Sequence, residues 1–141
     1  MSKRIKVYLP LFIFFFLIES AYSKGSLIDT SKFVILKADS SQQYFNPTKN
    51  QLKRLFKKVV KNVEKGTDKK MDDYVLQIVP KITWNGDRII VVRGMCQFDT
   101  NGQYNWKKYN VYIEDGGDCF FTARYNLSKS RKFTLDFNSD S

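Results

Sequence analysis

The chain has 141 residues, with 24 Lys and Arg against 14 Asp and Glu, no histidine, and a net charge of +10 at pH 7. Without an imidazole, Ser-His-Asp and Cys-His catalysis are excluded, as are zinc sites with imidazole ligands. Two cysteines are too few for an all-thiolate metal centre, so the sequence points to no cofactor and no metal.

In chain order, Ser2-Lys3-Arg4-Ile5-Lys6 is a basic stretch, and Val7 to Ile18 is an apolar run interrupted by Pro10. Ala21-Tyr22-Ser23 then gives the small–x–small pattern that a signal peptidase reads. The apolar run is shorter than the roughly 20 residues of a spanning helix. Residues 1–23 are therefore expected to be a signal peptide, with residues 24–141 forming a single domain and no transmembrane segment after processing. The predicted mature chain carries 21 basic and 13 acidic side chains, a net charge of +8. It is expected to be secreted or periplasmic. Its charge favours acidic partners: an acidic protein, anionic lipid or an acidic polysaccharide. Nucleic acid ranks behind these because an exported protein rarely meets it.

Phe33 to Leu36 is an apolar run that reads as a first strand. A helix is predicted over Pro47–Lys65, with Asn46 as N-cap and Pro47 at the first helical position. Leu52, Leu55, Phe56, Val59, Val60 and Val63 recur at helical spacing and at about 100° per residue fill an arc of roughly 140°. Lys53, Arg54, Lys57, Lys58, Lys61 and Lys65 fill the opposite face and form the candidate ligand-binding surface. Gly66 is expected to end the helix as a C-cap glycine.

The remainder reads as a meander of strands. Tyr74 to Thr83 is one, with Pro80 implying an edge or a bulge. Asn85-Gly86 marks a hairpin, and Arg88 to Phe98, "RIIVVRGMCQF", is apolar on both faces. Asn101-Gly102 is the next turn, followed by a strand over Trp106–Glu114. Gly116-Gly117 turns the chain into a strand over Cys119–Tyr125, and Phe133–Phe137 closes the series. The expected architecture is α+β: one long helix packed on a curved antiparallel sheet, in the order β-α-β-β-β-β-β.

Two-residue turns at Asn101-Gly102 and Gly116-Gly117 would set Cys96 opposite Lys107 and Cys119 opposite Glu114. Seven residues of strand, about 23 Å, would then separate the two thiols, so that register argues against an intramolecular disulfide. "EDGGD", residues 114–118, is explained as a tight turn, because glycines adopt positive φ and aspartates bond nearby amides. It lacks the spacing of a calcium-binding EF-hand loop. Carboxylates beside Cys119 would raise the thiol pKa and weaken it as a nucleophile. Asn126-Leu127-Ser128 matches the N-glycosylation acceptor pattern. Tyr104, Trp106, Tyr109 and Tyr112 are aromatics expected to reach the sheet surface.

This order of elements resembles the cystatin-like arrangement. The Gln-x-Val-x-Gly and Pro-Trp hairpin signatures of cystatin inhibitors are absent; the hairpins hold Trp84-Asn85-Gly86-Asp87 and Asn101-Gly102 instead. The stretches "NWKKYNVYIEDGGDCFFTARYNL" and "KFTLDFN" resemble a family of small exported proteins of Bacteroidetes-type bacteria, which implies export and a fold rather than an activity. The sequence thus favours a non-enzymatic exported binding module. The alternatives are a cystatin-like protease inhibitor without the inhibitor motifs and a hydrolase using carboxylates alone.

Overall fold

The computed structural model describes residues 28–38, 42–97 and 105–138. The predicted signal peptide and the predicted Asn101-Gly102 turn lie outside the described residues. Strand β1 is Phe33–Ile35, helix α1 is Lys49–Gly66, and strands β2 to β5 are Tyr74–Ile82, Arg88–Cys96, Gly117–Asn126 and Phe133–Asn138. The sheet runs in the order β1-β2-β3-β4-β5, with α1 between β1 and β2 in sequence. The fold is α+β, as expected. The sheet is mixed rather than antiparallel throughout, because β1 pairs parallel to β2 with Phe33 opposite Leu76. A helix joining two neighbouring strands returns the chain to the end where it began, so those strands must run the same way.

Helix α1 begins two residues later than predicted. Thr48, not Asn46, is the N-cap: its hydroxyl accepts from the Gln51 amide at 3.2 Å, and the Gln51 side chain accepts from the Thr48 amide at 2.8 Å. This reciprocal capping box satisfies two first-turn donors, whereas Asn46 would have had Lys49 three residues on and could satisfy only one. Leu55, Phe56, Val59 and Val63 are buried against Leu76, Ile78, Ile90, Val92, Phe121, Ala123 and Tyr125 of the sheet.

Gly66 does not act as a left-handed cap. The helix ends on an ordinary bond from the Thr67 amide to the Val63 carbonyl, 3.1 Å, and Thr67 turns extended. What Gly66 provides is closeness, since a Cβ there would stand 2.5 Å from the ring of Phe137 on β5. Gly94 plays the same part within the sheet. It sits opposite Phe121, whose ring lies where a side chain on residue 94 would go.

Pro80 belongs to a strand with neighbours on both sides, yet it costs no ladder bond. Pairing with β1 ends at Ile35 opposite Ile78, and the outer side of β2 is next used at Ile82, whose amide donates to the Gln43 carbonyl at 2.9 Å. By alternation the missing N–H of Pro80 falls in the gap between them.

The β2–β3 connection is a three-residue loop, Trp84-Asn85-Gly86, rather than a two-residue turn. The Thr83 amide donates to Asp87 O and the Gly86 amide to Thr83 O, both at 2.9 Å, and Gly86 has φ +84°. A turn followed by one left-handed residue is the usual three-residue solution, and glycine fits that position without strain.

The predicted strand over Trp106–Glu114 does not form. β3 pairs directly with β4, Met95 opposite Phe120, and residues 105–116 leave the sheet to fold over its second face. There Val111, Trp106 and Ile113 pack with Val75, Met95 and Phe120. The strand is expected because the segment lies between two glycine-containing turns, but residues 105–109 instead form a turn in which the Lys108 and Tyr109 amides both donate to the Asn105 carbonyl, and the apolar side chains beyond it pack on the sheet without pairing with it. The absent strand also overturns the argument against a disulfide. With β3 and β4 adjacent, Cys96 and Cys119 fall opposite each other in the observed register, with Cα atoms 4.9 Å apart, and they are bridged.

The buried amide of Gln77 fixes this lid. Its Nε2 donates to the carbonyls of Trp106 and Tyr109, each at 2.6 Å, and its Oε1 accepts from the Val111 amide at 2.9 Å. Gln77 is fully buried and fully used, which is how a polar side chain is tolerated in an apolar layer.

Candidate binding surfaces

Three places have the chemistry to act on another molecule: the acidic turn before β4, the outer face of α1, and the far end of the sheet around residues 83–87.

The acidic turn is occupied by structural work. Gly116 has no room for a Cβ, which would stand 2.0 Å from the ring of Phe120, and Gly117 has φ +56°. The Cys119 amide donates to the Gly116 carbonyl at 3.1 Å, closing a turn just before the disulfide. Asp118 Oδ2 accepts from the Thr67 hydroxyl at 2.7 Å, and Oδ1 meets Lys69 Nζ at 3.2 Å. These bonds, that from Thr67 first, hold the Asp118 carboxyl below its ordinary range. The Asp118 carbonyl accepts from the hydroxyl of Tyr74. Burial, and secondarily the charge of Asp118, pushes this phenol up to about 12. The turn therefore anchors the end of α1 to the start of β4. Among the described residues, no group of three or more Cys, Asp or Glu side chains is placed to hold a metal ion.

Helix α1 carries seven basic side chains and one acidic side chain, Glu64. Lys53, Arg54, Lys57, Lys61 and Lys65 are exposed, and none of them belongs to the ion pairs found among the described residues. Lys58 departs from the expected set. It is half-buried at the margin of the core, its ammonium 5.9 Å from the ring centre of Tyr125 and 5.8 Å from that of Phe133. A cation over two ring faces is partly satisfied by their quadrupoles. The face available to a ligand is therefore five residues rather than six. Lys53, Lys57, Lys61 and Lys65 stand four residues apart, about 6 Å per step, so the row extends roughly 18 Å.

The aromatics expected at the surface divide. Tyr109 and Tyr112 are exposed, Trp106 turns partly into the second core, and Tyr104 lies outside the described residues. Tyr112 is covered by the Arg93 guanidinium, 4.0 Å from its ring centre. Among the described residues the most exposed aromatic is one that sequence reasoning passed over: Trp84, at the tip of the β2–β3 hairpin, is 98% exposed. The available signal was its place inside a turn, where small polar residues are usual and a large apolar one needs a reason.

That tip is rigidly built. The Asp87 amide donates to Thr83 Oγ1 at 3.0 Å, and Asp87 Oδ2 accepts from Lys129 Nζ at 2.8 Å and from Asn126 Nδ2 at 3.3 Å. The Lys129 bond, helped by Asn126 and Asn85, holds the Asp87 carboxyl below its ordinary range. The Arg88 amide donates to Ser128 Oγ, 2.9 Å, and the Leu127 amide to the Arg88 carbonyl, 2.8 Å, tying together the two loops at this end of the sheet. Asn126 is consumed here, its Oδ1 accepting from the amides of Ser128 and Lys129.

No family model matches the chain, and no curated protein or solved structure matches it. Fold and surfaces together define a small disulfide-bonded α+β domain with a cationic helix face and an aromatic-tipped hairpin. Among the described residues no helix is long and apolar enough to cross a membrane.

Proposed function

We propose that the protein is an exported, non-enzymatic binding module that takes an anionic partner on the outer face of α1. The observation that carries this reading is the row Lys53, Lys57, Lys61 and Lys65 with Arg54 beside it, exposed and outside the ion pairs of the described residues. The apolar face of α1 is spent on the core, so the helix is not free to sink into a bilayer. What it offers is a rigid line of charge, which suits a linear polyanion. Outside the cell that is an acidic polysaccharide. The disulfide supports export, because such bonds persist in oxidising compartments. One helix lying across a sheet, with a covering segment between β3 and β4, supports the finer cystatin-like description of the fold.

The test compares residues 24–141 with the variant Lys53→Glu, Lys57→Glu, Lys61→Glu on an immobilised sulfated polysaccharide. The wild type is expected to bind and to elute with rising salt, and the variant to pass through, because exposed charges are screened within about 10 Å at 0.1 M salt. Equal retention of both overturns the reading. Retention of the wild type only on anionic vesicles overturns the polysaccharide assignment.

A further inference from the structure

The second face of the sheet carries an independent site. Residues 105–116 cover the end of this face near Gln77 and leave the end near residues 83–87 open. The open part contains a groove of about 370 Å³ whose walls include Trp84, Ile89, Arg124, Lys132 and Thr134. That volume lies within the roughly 300–1,000 Å³ usual for small-molecule sites. Arg124 faces away from α1, because its neighbours Ala123 and Tyr125 are buried under the helix. Arg124 and Lys132 are exposed, and neither belongs to the ion pairs found among the described residues. The one carboxylate on the groove, Asp87, is already held by Lys129 and Asn126. The groove is therefore cationic, with one flat aromatic wall.

The geometry points to this groove as a binding site for an acidic sugar unit, with one pyranose ring against Trp84 and its carboxylate or sulfate held by Arg124 and Lys132. A pyranose has an apolar face of C–H groups that lies flat on an indole, and an indole buries a large area at low conformational cost. Trp84 makes no ring contact with another side chain among the described residues, and the loop that carries it is fixed by bonds to which its side chain does not contribute. The backbone beneath the indole is thus fixed, and on binding only the two side-chain torsions of Trp84 remain to be ordered. Arg suits the acid group because its planar donors match a carboxylate or sulfate two at a time. A single strand of nucleic acid also combines stacking with phosphate contacts, but the disulfide favours the oxidising surroundings where polysaccharide is the common polyanion.

The test titrates residues 24–141 with a galacturonate tetrasaccharide, its neutral methyl ester, and an oligothymidylate, and reads tryptophan emission and calorimetric heat. The chain has two tryptophans, and only the exposed Trp84 is expected to shift to the blue. The acidic tetrasaccharide should bind saturably. Trp84→Ala should weaken it by about tenfold or more, with an unchanged melting temperature because the indole buries nothing in the fold. The double variant Arg124→Ala, Lys132→Ala should do the same, while the helix variant Lys53→Glu, Lys57→Glu, Lys61→Glu should bind normally. That last result separates failure of this site from failure of the helix reading. Equal binding of the methyl ester, tighter binding of the oligothymidylate, or binding unaffected by Trp84→Ala each overturns the assignment.

Discussion

Asp118 shows how a carboxylate read from the sequence as part of a tight turn also ties two elements together in the fold. Its carboxylate accepts from Thr67 and pairs with Lys69, so its pKa is lowered from 3.8 in the folded chain. A depressed carboxylate contributes stability that is fully present above its unfolded pKa and is lost as pH falls through the folded one. Asp118→Asn keeps an acceptor for Thr67 but cannot ionise. It should be less stable than the wild type near neutrality, and the gap should narrow as the pH falls from about 5 towards 2. Thermal melts of both proteins across that range check it, and a gap independent of pH refutes the linkage. Gly66 and Gly94 make a related point. Both positions need the absence of a side chain because a phenylalanine ring occupies the space, and no local sequence rule identifies which distant ring that will be.

At the scale of elements, α1 was legible because its period, its apolar stripe and its charged face all agree. Its start was misplaced by two residues because Asn46-Pro47 and Thr48 with Gln51 are competing caps, and only the second satisfies two donors. The strands β2, β3 and β4 were legible from apolar runs set off by turn residues such as Asn85-Gly86, and β5 from the alternation of Phe133, Leu135 and Phe137 with Thr134 and Asp136. The segment over residues 105–116 was not, since glycine turns on either side mark it off like a strand, whereas it folds through a turn at residues 105–109 and packs on the sheet face. The extra strand is what argued against the disulfide, because inserting it between β3 and β4 moves Cys96 away from Cys119. The true neighbours close a loop with a sequence separation of 23, for which the chain-entropy model gives about 3 kcal/mol of stabilisation.

Gln77 is the residue that decides between the two arrangements of this segment, because its amide holds two carbonyls and one amide of the lid. Gln77→Ala should cost about 2–4 kcal/mol by leaving those groups unpaired, and should speed hydrogen exchange at Val111 ahead of the β3 amides. Gln77→Glu keeps the shape but loses the two donors, so it should be at least as damaging. Urea denaturation and exchange measurements check both. A lid that stays protected in Gln77→Ala would mean that Val111, Trp106 and Ile113 hold it by packing alone.

For the molecule as a whole, the question is whether the cationic face of α1 is a binding surface or only a solvated one. The two answers differ in what they ask of stability. Lys53, Lys57, Lys61 and Lys65 are like charges at four-residue spacing, and each such pair destabilises a helix by about 0.2–0.5 kcal/mol. A face needed only for solubility has no reason to accept this, since acidic residues placed between the lysines would dissolve the protein as well and stabilise the helix. Lys57→Glu tests the conflict directly. It replaces two repulsive pairs, with Lys53 and Lys61, by two attractive ones, for a gain of about 1 kcal/mol, which corresponds to a rise of roughly 4 °C in melting temperature at this chain length. The gain should shrink as salt is added, because the pairs are exposed. If the face binds a polyanion, the same substitution should lower the salt concentration at which the protein leaves a sulfated polysaccharide column. Higher stability with weaker binding means that the row of lysines is kept at the expense of the fold, as a ligand site is. Higher stability with unchanged elution would return these lysines to the solvent and leave the Trp84 groove as the site to pursue.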